Sequence, residues 1–330
     1  MLQLKTIVCI GFVSGACIAA LSCRSVQSVE TRTPEQAAAQ YRSPLPGHFV
    51  SLRGATIFYL DSGASESVVP NPETPMRKPS PAPIVLIHGL GASTFSFRRN
   101  IPALEKQARV VALDLKGFGL SKDFTDKNFS FMEEAAIVVA LMDYLKISRA
   151  TLIGQSLGGT IACLIAAEYP DRVDRLVLVD SATLYITRPW VTRFLHGGLF
   201  NSMAYQMGGP DRRRIRGLLE KAYFDKSKVS DADVEGYYFP FTIKNSAEAA
   251  RLFLTTDNPN GNALLARIRA QTLILWGAKD TFIEPSVRDF LHHQIRNSKV
   301  EIIPNAGHAV MEERPEEVNQ ALLKFLGGNL

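Results

Sequence analysis

Short, continuous apolar runs alternate with amphipathic helical patterns along most of this chain, and this alternation constrains its fold more than any other feature. The apolar runs lie at residues 83–88, 110–114, 150–154, 173–179, 272–276 and 300–303. The helical patterns lie at 131–145, 157–169 and 315–326. Uninterrupted apolar strands are typical of a sheet buried on both faces, and strand–helix–strand units make neighbouring strands parallel. The sequence therefore predicts an α/β protein with a mostly parallel central sheet flanked by helices.

Other segments begin and interrupt this sheet. Residues 48–60 predict a β-hairpin that turns at Arg53-Gly54. Residues 64–83 are rich in proline and predict a surface loop. Between residues 183 and 263 no buried-strand run occurs, and aromatic residues, arginines and helical stretches take its place. We therefore predict a helical insertion over 183–263, after the sixth strand, that divides the core into residues 46–182 and 264–330.

The first 45 residues predict export. Lys5 is the only charge before an apolar stretch from Ile7 to Leu21, which Ser22 and Cys23 follow. A short basic start, an apolar run and small residues describe a signal peptide over residues 1–23. The run is shorter than the ~20 residues that a membrane-spanning helix needs. Residues 24–45 are mostly polar and predict a flexible tether, so we expect a protein of the cell envelope, either membrane-anchored or periplasmic.

Three interpretations of Cys23 fit the sequence. Ala20-Leu21-Ser22-Cys23 resembles the bacterial lipoprotein box, in which the cysteine is lipidated, although leucine stands one place late. Simple cleavage after Ser22 and retention of the segment as a signal anchor are the other two. Beyond Cys23 the only cysteine is Cys163, so the domain itself forms no internal disulfide.

Composition and spacing exclude several function classes. Charged residues make up 21% of the chain and the formal net charge is +5, a mild excess without any nucleic-acid-binding motif. The cluster Arg212, Arg213, Arg214 and Arg216 is interpreted as a solvated helix face. No group of histidine, cysteine and acidic residues has metal-ligand spacing, and no glycine loop is built to hold phosphate. We therefore expect no nucleic-acid partner, no metal and no cofactor, and the sequence does not identify protein partners.

The strongest chemical motif is Gly154-Gln155-Ser156-Leu157-Gly158, which Gly159 follows. It matches G-x-S-x-G, with a buried strand before it and a helix after it, as this motif requires. Glycines are needed because a serine on a sharp strand-to-helix turn allows no bulky neighbours. The motif predicts that Ser156 is a nucleophile exposed at the carboxyl end of its strand.

A serine hydroxyl needs a base, and the base needs an acid to orient it. Asp280 and His308 each follow one of the last two apolar runs, so both are expected at the same carboxyl edge of the sheet as Ser156. We predict that His308 is the base and Asp280 the acid. Asp180 also ends an apolar run and is the alternative acid, but it leads directly into the insertion.

The chain resembles the α/β-hydrolase family over roughly residues 48–330. The matching stretches are His88-Gly89-Leu90-Gly91, Asp114 to Ser121, the Ser156 turn, Trp276 to Asp280, and Gly307-His308 with Glu313 and Pro315 beyond. The resemblance implies the roles of nucleophile, base and acid for Ser156, His308 and Asp280. It assigns the oxyanion hole to the backbone N–H groups of Leu90 and Leu157, and it implies that the insertion is a cap domain above the active site.

The resemblance also implies a reaction: hydrolysis of an ester, or a related acyl bond, in a small and partly apolar substrate. Carbon–carbon bond hydrolases of ring-fission diketones use the same triad and cap position, but they usually continue with Gly-Pro-Gly-Ala after His-Gly, where this chain has Gly91-Ala92-Ser93-Thr94. Dehalogenases and epoxide hydrolases carry aspartate in place of Ser156. A non-catalytic envelope interaction protein on a hydrolase scaffold is a third interpretation, and the presence of all three triad residues speaks against it.

We predict that the full-length protein is held at a membrane through its N-terminus and that removal of residues 1–23 releases an active, water-soluble enzyme. A flexible linker of about 20 residues reaches about 25 Å, which is enough to clear the headgroups. Membrane fractionation of the wild type and of Cys23→Ala tests this expectation. Full partitioning of Cys23→Ala with membranes would replace the lipoprotein interpretation by a retained signal anchor. A wild-type protein found entirely in the soluble fraction would exclude both.

Overall fold

The computed structural model of the chain describes residues 32–41, 43–63, 81–183, 211–256, 258 and 261–327. All of them belong to one structural unit, Arg32–Leu330. The predicted signal peptide with Cys23, most of the proline-rich loop and the first part of the predicted insertion lie outside the described residues. Among the helices of the described part, none is both long and apolar enough to cross a membrane.

The described strands form a single sheet. They are β1 (Gly47–Leu52), β2 (Ala55–Asp61), β3 (Ile84–Ile87), β4 (Val110–Leu113), β5 (Asp123–Phe124), β6 (Ala150–Gln155), β7 (Val173–Val179), β8 (Gln271–Gly277) and β9 (Ser298–Ile303). Their order is β1-β2-β4-β3-β6-β7-β8-β9, and β5 pairs with β2. The pairs β1–β2, β2–β4 and β2–β5 are antiparallel, and every neighbouring pair from β4 across to β9 is parallel. The predicted α/β fold with a mostly parallel sheet is confirmed.

Helices connect the strands and cover the sheet. The α-helices are α1 (Pro34–Ala38), α2 (Ile101–Leu104), α3 (Phe131–Tyr144), α4 (Leu157–Glu168), α5 (Arg212–Ala222), α6 (Asp231–Tyr238), α7 (Ser246–Thr255), α8 (Pro285–Gln294), α9 (Val310–Glu313) and α10 (Pro315–Leu326). Short 3-10 helices cover Thr94–Phe97, Pro170–Arg172, Lys226–Lys228, Phe239–Thr242 and Asn262–Arg267.

Both faces of the central strands are buried. In β3, Val85 and Ile87 join an apolar cluster with α3, α4 and α8. Ile84 and Leu86 point the other way and join a second cluster with α2 and α10. Because successive side chains of a strand alternate between faces, a strand covered on both sides must be apolar throughout. Cys163 lies fully buried in the first cluster, and burial raises the pKa of its thiol.

Between β7 and β8, in the region of the predicted insertion, the described residues contain α5, α6 and α7. A small apolar cluster joins α5 to α6 and includes Ile215, Leu219, Val234 and, from the loop after β9, Ala309. Among the described strands, the insertion follows the seventh rather than the sixth. The extra strand is β5, whose two residues are too few to show a hydrophobic period.

The segment before the hairpin differs from its prediction. The sequence predicts a flexible tether over residues 24–45, but α1 begins with a capping box at Thr33 and buries Ala37 completely. The Tyr41 hydroxyl lies 2.8 Å from Thr94 Oγ1. The described part of this segment is therefore packed on the core. Its polar composition did not predict this, because the contacts are made with residues that are distant in the sequence.

Candidate active site

Ser156 lies at the turn between β6 and α4, and its backbone is strained. Its φ of 52° and ψ of −116° lie outside the regions that L-residues normally occupy. A Cβ on Gly154 would lie 2.3 Å from the carbonyl oxygen of Gly158, and a Cβ on Gly158 would lie 2.0 Å from that of Ile87. A larger residue at Gly158 would therefore push the turn away from β3, and one at Gly154 would push the start of α4 away from β6.

Neighbouring backbone holds this strained turn in place. The N–H of Ser156 donates to the carbonyl of Val179 at 2.9 Å, and the N–H of Ala182 donates to the carbonyl of Ser156 at 3.2 Å. Such a conformation costs about 1–3 kcal/mol and persists only where the surrounding structure fixes it. The turn presents the half-buried Ser156 at the carboxyl edge of the sheet, at the N-terminus of α4.

Asp280 and His308 form a hydrogen-bonded pair at the same edge. His308 Nδ1 lies 2.8 Å from Asp280 Oδ2; the Asp280 side chain is fully buried, and 11% of the His308 side chain is exposed. The other oxygen of Asp280 accepts the N–H groups of Phe282 at 2.7 Å and Ile283 at 3.0 Å. A carboxylate held in this way keeps the proton of the neutral imidazole on Nδ1, which leaves Nε2 as an acceptor. The structure thus brings the predicted acid and base together.

Gln155 lies between His308 and the serine turn. Its amide nitrogen is 3.5 Å from His308 Nε2 and 3.4 Å from the backbone carbonyl oxygen of His308. Since a carbonyl only accepts, the nitrogen rather than the oxygen of the amide faces His308. Within the described residues, no hydrogen bond joins Ser156 Oγ to His308. Sequence reasoning did not find Gln155, because the second position of G-x-S-x-G has no required residue.

Asp180, the alternative acid, lies beside the pair. A carboxylate oxygen of Asp180, a carboxylate oxygen of Asp280 and a ring nitrogen of His308 all lie within 4.8 Å of one another. Asp180 is fully buried; its Oδ1 accepts the N–H of Gly277 at 2.8 Å, and its Oδ2 has no partner among the described residues. Burial, and then the charge of Asp280, raise the pKa of Asp180 well above its usual value. The structure therefore pairs His308 with Asp280 and leaves Asp180 as a second acid that ionises with difficulty.

Two carboxylates and an imidazole this close together are also a donor set for a divalent cation. Both oxygens of Asp280 and Nδ1 of His308 already take part in the hydrogen bonds described above. A cation would have to displace those bonds. The geometry therefore suits an oriented imidazole better than a metal centre.

The predicted oxyanion residues lie on two sides of Ser156. Leu157 is the first residue of α4. Leu90 lies in the turn after β3, where a Cβ on Gly89 would be 3.1 Å from Ser156 Cβ. The Leu90 side chain is exposed, so this turn approaches the serine with its backbone. The structure therefore places both predicted residues next to the serine.

Buried polar side chains hold the turn that contains Leu90. His88 Nε2 accepts the N–H of Leu115 at 3.0 Å, and its Nδ1 donates to the carbonyl of Gly89 at 2.7 Å. Burial lowers the pKa of His88 to about 4, so the ring is neutral at neutral pH. Asp114, whose pKa burial raises to about 6, accepts the N–H of Thr94 at 2.6 Å. His88 and Asp114 are thus supports of the turn.

An ionic cluster around the buried Asp233 and Glu312, which we call the Arg98 cluster, joins the end of the 3-10 helix Thr94–Phe97 to the insertion. Its members are Arg98, Arg99, Asp233, Glu312 and Tyr237. Arg98 pairs with Asp233 of α6 and with Glu312 of α9, and Arg99 lies 3.1 Å from Asp233. Tyr237 donates its hydroxyl proton to Glu312. Sequence reasoning missed the cluster because its members are far apart in the chain and carry no local pattern.

A family model described as alpha/beta hydrolase fold matches residues 82–315. The uncharacterized hydrolase YugF of Bacillus subtilis is 27% identical over 252 residues, which cover 76% of this chain and 92% of that protein. A 2-hydroxy-6-oxononadienedioate/2-hydroxy-6-oxononatrienedioate hydrolase of Escherichia coli is 28% identical over 258 residues, 74% of this chain and 86% of that protein. The span that the family model matches contains Ser156, Asp280 and His308.

Solved structures share the architecture. A membrane phospholipase A superposes with a TM-score of 0.71 at 27% identity, covering 94% of this chain and 96% of that chain. A meta-cleavage product hydrolase from Pseudomonas fluorescens IP01 superposes with a TM-score of 0.69 at 24% identity, covering 86% and 98%. The second likeness shows the fold alone.

We predict that Asp180→Asn stabilises the protein increasingly as the pH rises. Because the pKa of Asp180 is raised in the folded state, the folded protein holds this proton more tightly than the unfolded chain does. The stability that Asp180 contributes is full below the unfolded pKa of about 3.9 and is lost as the pH rises through the folded value. Asparagine does not ionise and lacks this loss. Denaturant unfolding of both proteins at acidic and neutral pH measures the effect, and a difference that stays constant with pH would contradict it.

Proposed function

The chain belongs to the α/β-hydrolase family, and on this premise we propose that it is a serine hydrolase that cleaves an ester, or a related acyl bond, of a small and partly apolar substrate. The observation that carries the proposal is the hydrogen bond between His308 and the buried Asp280, with Nε2 of the imidazole facing the strained turn of Ser156. A strained serine, an oriented imidazole and a buried acid on three separate loops make up a nucleophilic acyl-transfer site.

In the proposed reaction, Ser156 Oγ attacks the carbonyl carbon of the substrate while His308 Nε2 takes the hydroxyl proton. The imidazole exchanges its contact with Gln155 for one with Ser156, in keeping with catalytic hydrogen bonds that tighten only when substrate binds. Asp280 keeps the other proton on Nδ1 and stabilises the imidazolium. His308 then protonates the leaving alcohol. Water attacks the acyl-enzyme by the same route, which releases the acid and restores Ser156.

Leu90 and Leu157 supply backbone N–H groups to the developing oxyanion in this scheme. Leu157 opens α4, where free N–H groups and the positive end of the helix favour negative charge. The turn with Leu90 is held against the serine by the neutral His88. Fixed donors of this kind stabilise the transition state without reorganising, and loss of one donor typically reduces kcat by about 10²–10³-fold.

We further propose that the insertion roofs the site as a cap. Phe95, which follows the Leu90 turn, packs edge-on against Tyr237 of α6 with ring centroids 5.9 Å apart. Phe118 packs in the same way against Phe253 of α7 at 5.5 Å. Aromatic side chains along this boundary suit a substrate with an apolar acyl or alcohol part.

Ester hydrolysis at a membrane is supported by the likeness to the membrane phospholipase A, which at 27% identity covers 94% of this chain. A phospholipase A cleaves carboxylic esters with apolar acyl chains. Its membrane location agrees with the N-terminal attachment that we propose for this chain through the apolar run Ile7 to Leu21 and, as a lipoprotein, through Cys23.

Hydrolysis of a carbon–carbon bond in a ring-fission diketone is the second candidate. The relative from Escherichia coli, named as a hydrolase of 2-hydroxy-6-oxo dienedioate and trienedioate compounds, favours it. The same three side chains would serve that reaction. We rank it second because Gly91-Ala92-Ser93-Thr94 departs from the continuation usual in that branch, and here the chain turns into the 3-10 helix Thr94–Phe97.

Ser156→Ala should remove nearly all turnover and leave the fold intact, since alanine is small enough for the turn. In another serine hydrolase, loss of the nucleophile reduces kcat by about 10⁶-fold. Hydrolysis of a simple ester and labelling by a fluorophosphonate measure the effect, with Ser148→Ala, at an exposed position, as the matched control. Substantial hydrolysis by Ser156→Ala would refute the assignment, and a wild type that neither turns over nor labels would favour a non-catalytic role.

Asp280→Asn should reduce kcat far more than Asp180→Asn does. An amide at position 280 favours the wrong tautomer of His308, an effect of about 10⁴-fold in a serine protease. The same substitution at Asp180, which bonds Gly277 rather than His308, is the matched control. Steady-state ester hydrolysis of the two variants decides the question, and the opposite ranking would assign the acid to Asp180.

A substrate panel separates the two candidate reactions. We expect the wild type to hydrolyse esters, with rates that depend on acyl-chain length because the substrate contacts an apolar cap, and to cleave a ring-fission diketone poorly. Phospholipid and short-chain esters in the same panel bracket the range of chain lengths. Efficient diketone cleavage that Ser156→Ala abolishes, with poor ester hydrolysis throughout, would establish the second candidate instead.

A further inference from the structure

Glu313 is a buried carboxylate at the end of α9, shortly after His308, with 1% of its surface exposed. Its Oε2 accepts the N–H groups of Gly307 at 2.7 Å and Phe224 at 3.0 Å, and its Oε1 accepts the N–H of Asp225 at 2.7 Å. Gly307 immediately precedes His308, whereas Phe224 and Asp225 follow α5 in the insertion. The Glu313 carboxylate therefore bonds at the same time to the loop that carries His308 and to the insertion.

The backbone of the insertion also packs directly on the residues around His308. A Cβ on Gly307 would lie 2.3 Å from the carbonyl oxygen of Ala222, so this position requires glycine. On the other side of His308, the N–H of Ala309 donates to the same carbonyl at 3.2 Å. The end of α5 thus rests on both neighbours of the histidine, and Glu313 bonds across that contact.

The charge of Glu313 is stabilised by N–H groups. Within the described residues, no ion pair reaches its carboxylate, and Lys228 donates to its backbone carbonyl at 2.9 Å instead. The buried negative charge acts on its surroundings: after burial and Asp280, it contributes to the raised pKa of Asp180.

We propose that Glu313 is a positioning residue for His308, which fixes the imidazole relative to the end of α5 through the bonds of its carboxylate to both segments. The proposal rests on the proposed function, in which His308 is the base. It follows that the insertion cannot move at this end without moving the histidine, so the proposed cap and the base act as one unit.

Three variants test the positioning role of Glu313. Glu313→Ala removes all three bonds and should lower kcat on the order of 10²-fold with little change in KM, because a displacement of about 1 Å has this effect. Glu313→Asp retains the charge with a shorter reach. Glu313→Gln retains the shape without the charge. Glu316→Gln, at an exposed position of α10, is the matched control and should behave as the wild type does.

Rescue by a conservative variant separates positioning from a general loss of structure. Glu313→Gln keeps an acceptor oxygen at the same reach, so it should retain more of kcat than Glu313→Ala does, with KM near the wild-type value in both variants. Glu313→Asp, whose carboxylate has a shorter reach, should lower kcat as well.

Rates are divided by the fraction of enzyme that a fluorophosphonate labels, so that partial unfolding does not imitate a catalytic effect. If Glu313→Ala lowers only the melting temperature, with the normalised kcat of all variants unchanged, Glu313 is purely structural and the proposal is overturned. If the wild type does not label and Ser156→Ala changes nothing, the proposed function itself fails. A labelled, active wild type with unaffected Glu313 variants therefore refutes the role of Glu313 alone.

Discussion

The close approach of backbone around Ser156 is the constraint on which the rest of the site depends. Gly158 lies against the end of β3 with no room for a side chain, and this contact holds α4, β6 and β3 together where the serine turn forms. The strain at Ser156 costs about 1–3 kcal/mol. It is offset by backbone hydrogen bonds to Val179, the last residue of β7, and to Ala182, which follows it. Because neighbouring strands are parallel, the loops after β3, β6, β8 and β9 meet at the same edge.

Several buried charges lie where the insertion meets the core. His308 bonds to Asp280 through Nδ1, three N–H groups bond to Glu313, and the members of the Arg98 cluster pair with one another. Removal of one partner from a buried pair costs about 3–5 kcal/mol, whereas the intact pair adds little net stability. These groups therefore fix geometry. They attach the insertion to the end of the 3-10 helix Thr94–Phe97 on one side and to the loop that carries His308 on the other.

Periodicity located the strands closely, because a sheet covered on both faces requires uninterrupted apolar runs. The run at 173–179 coincides with β7, and the run at 150–154 ends one residue before β6 does. The pattern gave no signal for β5, which is too short, or for the packing of α1, whose apolar residues are few. The sequence left Asp180 as an alternative to Asp280 for the acid that orients His308. The two residues follow β7 and β8, which are parallel neighbours, so both lie at the same edge of the sheet.

The sequence by itself determined the sheet, the strained serine turn and the edge at which Ser156, Asp280 and His308 meet, because each follows from local spacing and from the rule that parallel strands share an edge. Only the tertiary structure decided which acid bonds His308, that Gln155 contacts the imidazole, and that the Arg98 cluster and Glu313 connect the insertion to the site. These contacts join residues far apart in the chain. Their pairing depends on how the insertion packs on the sheet, and no local pattern encodes that packing.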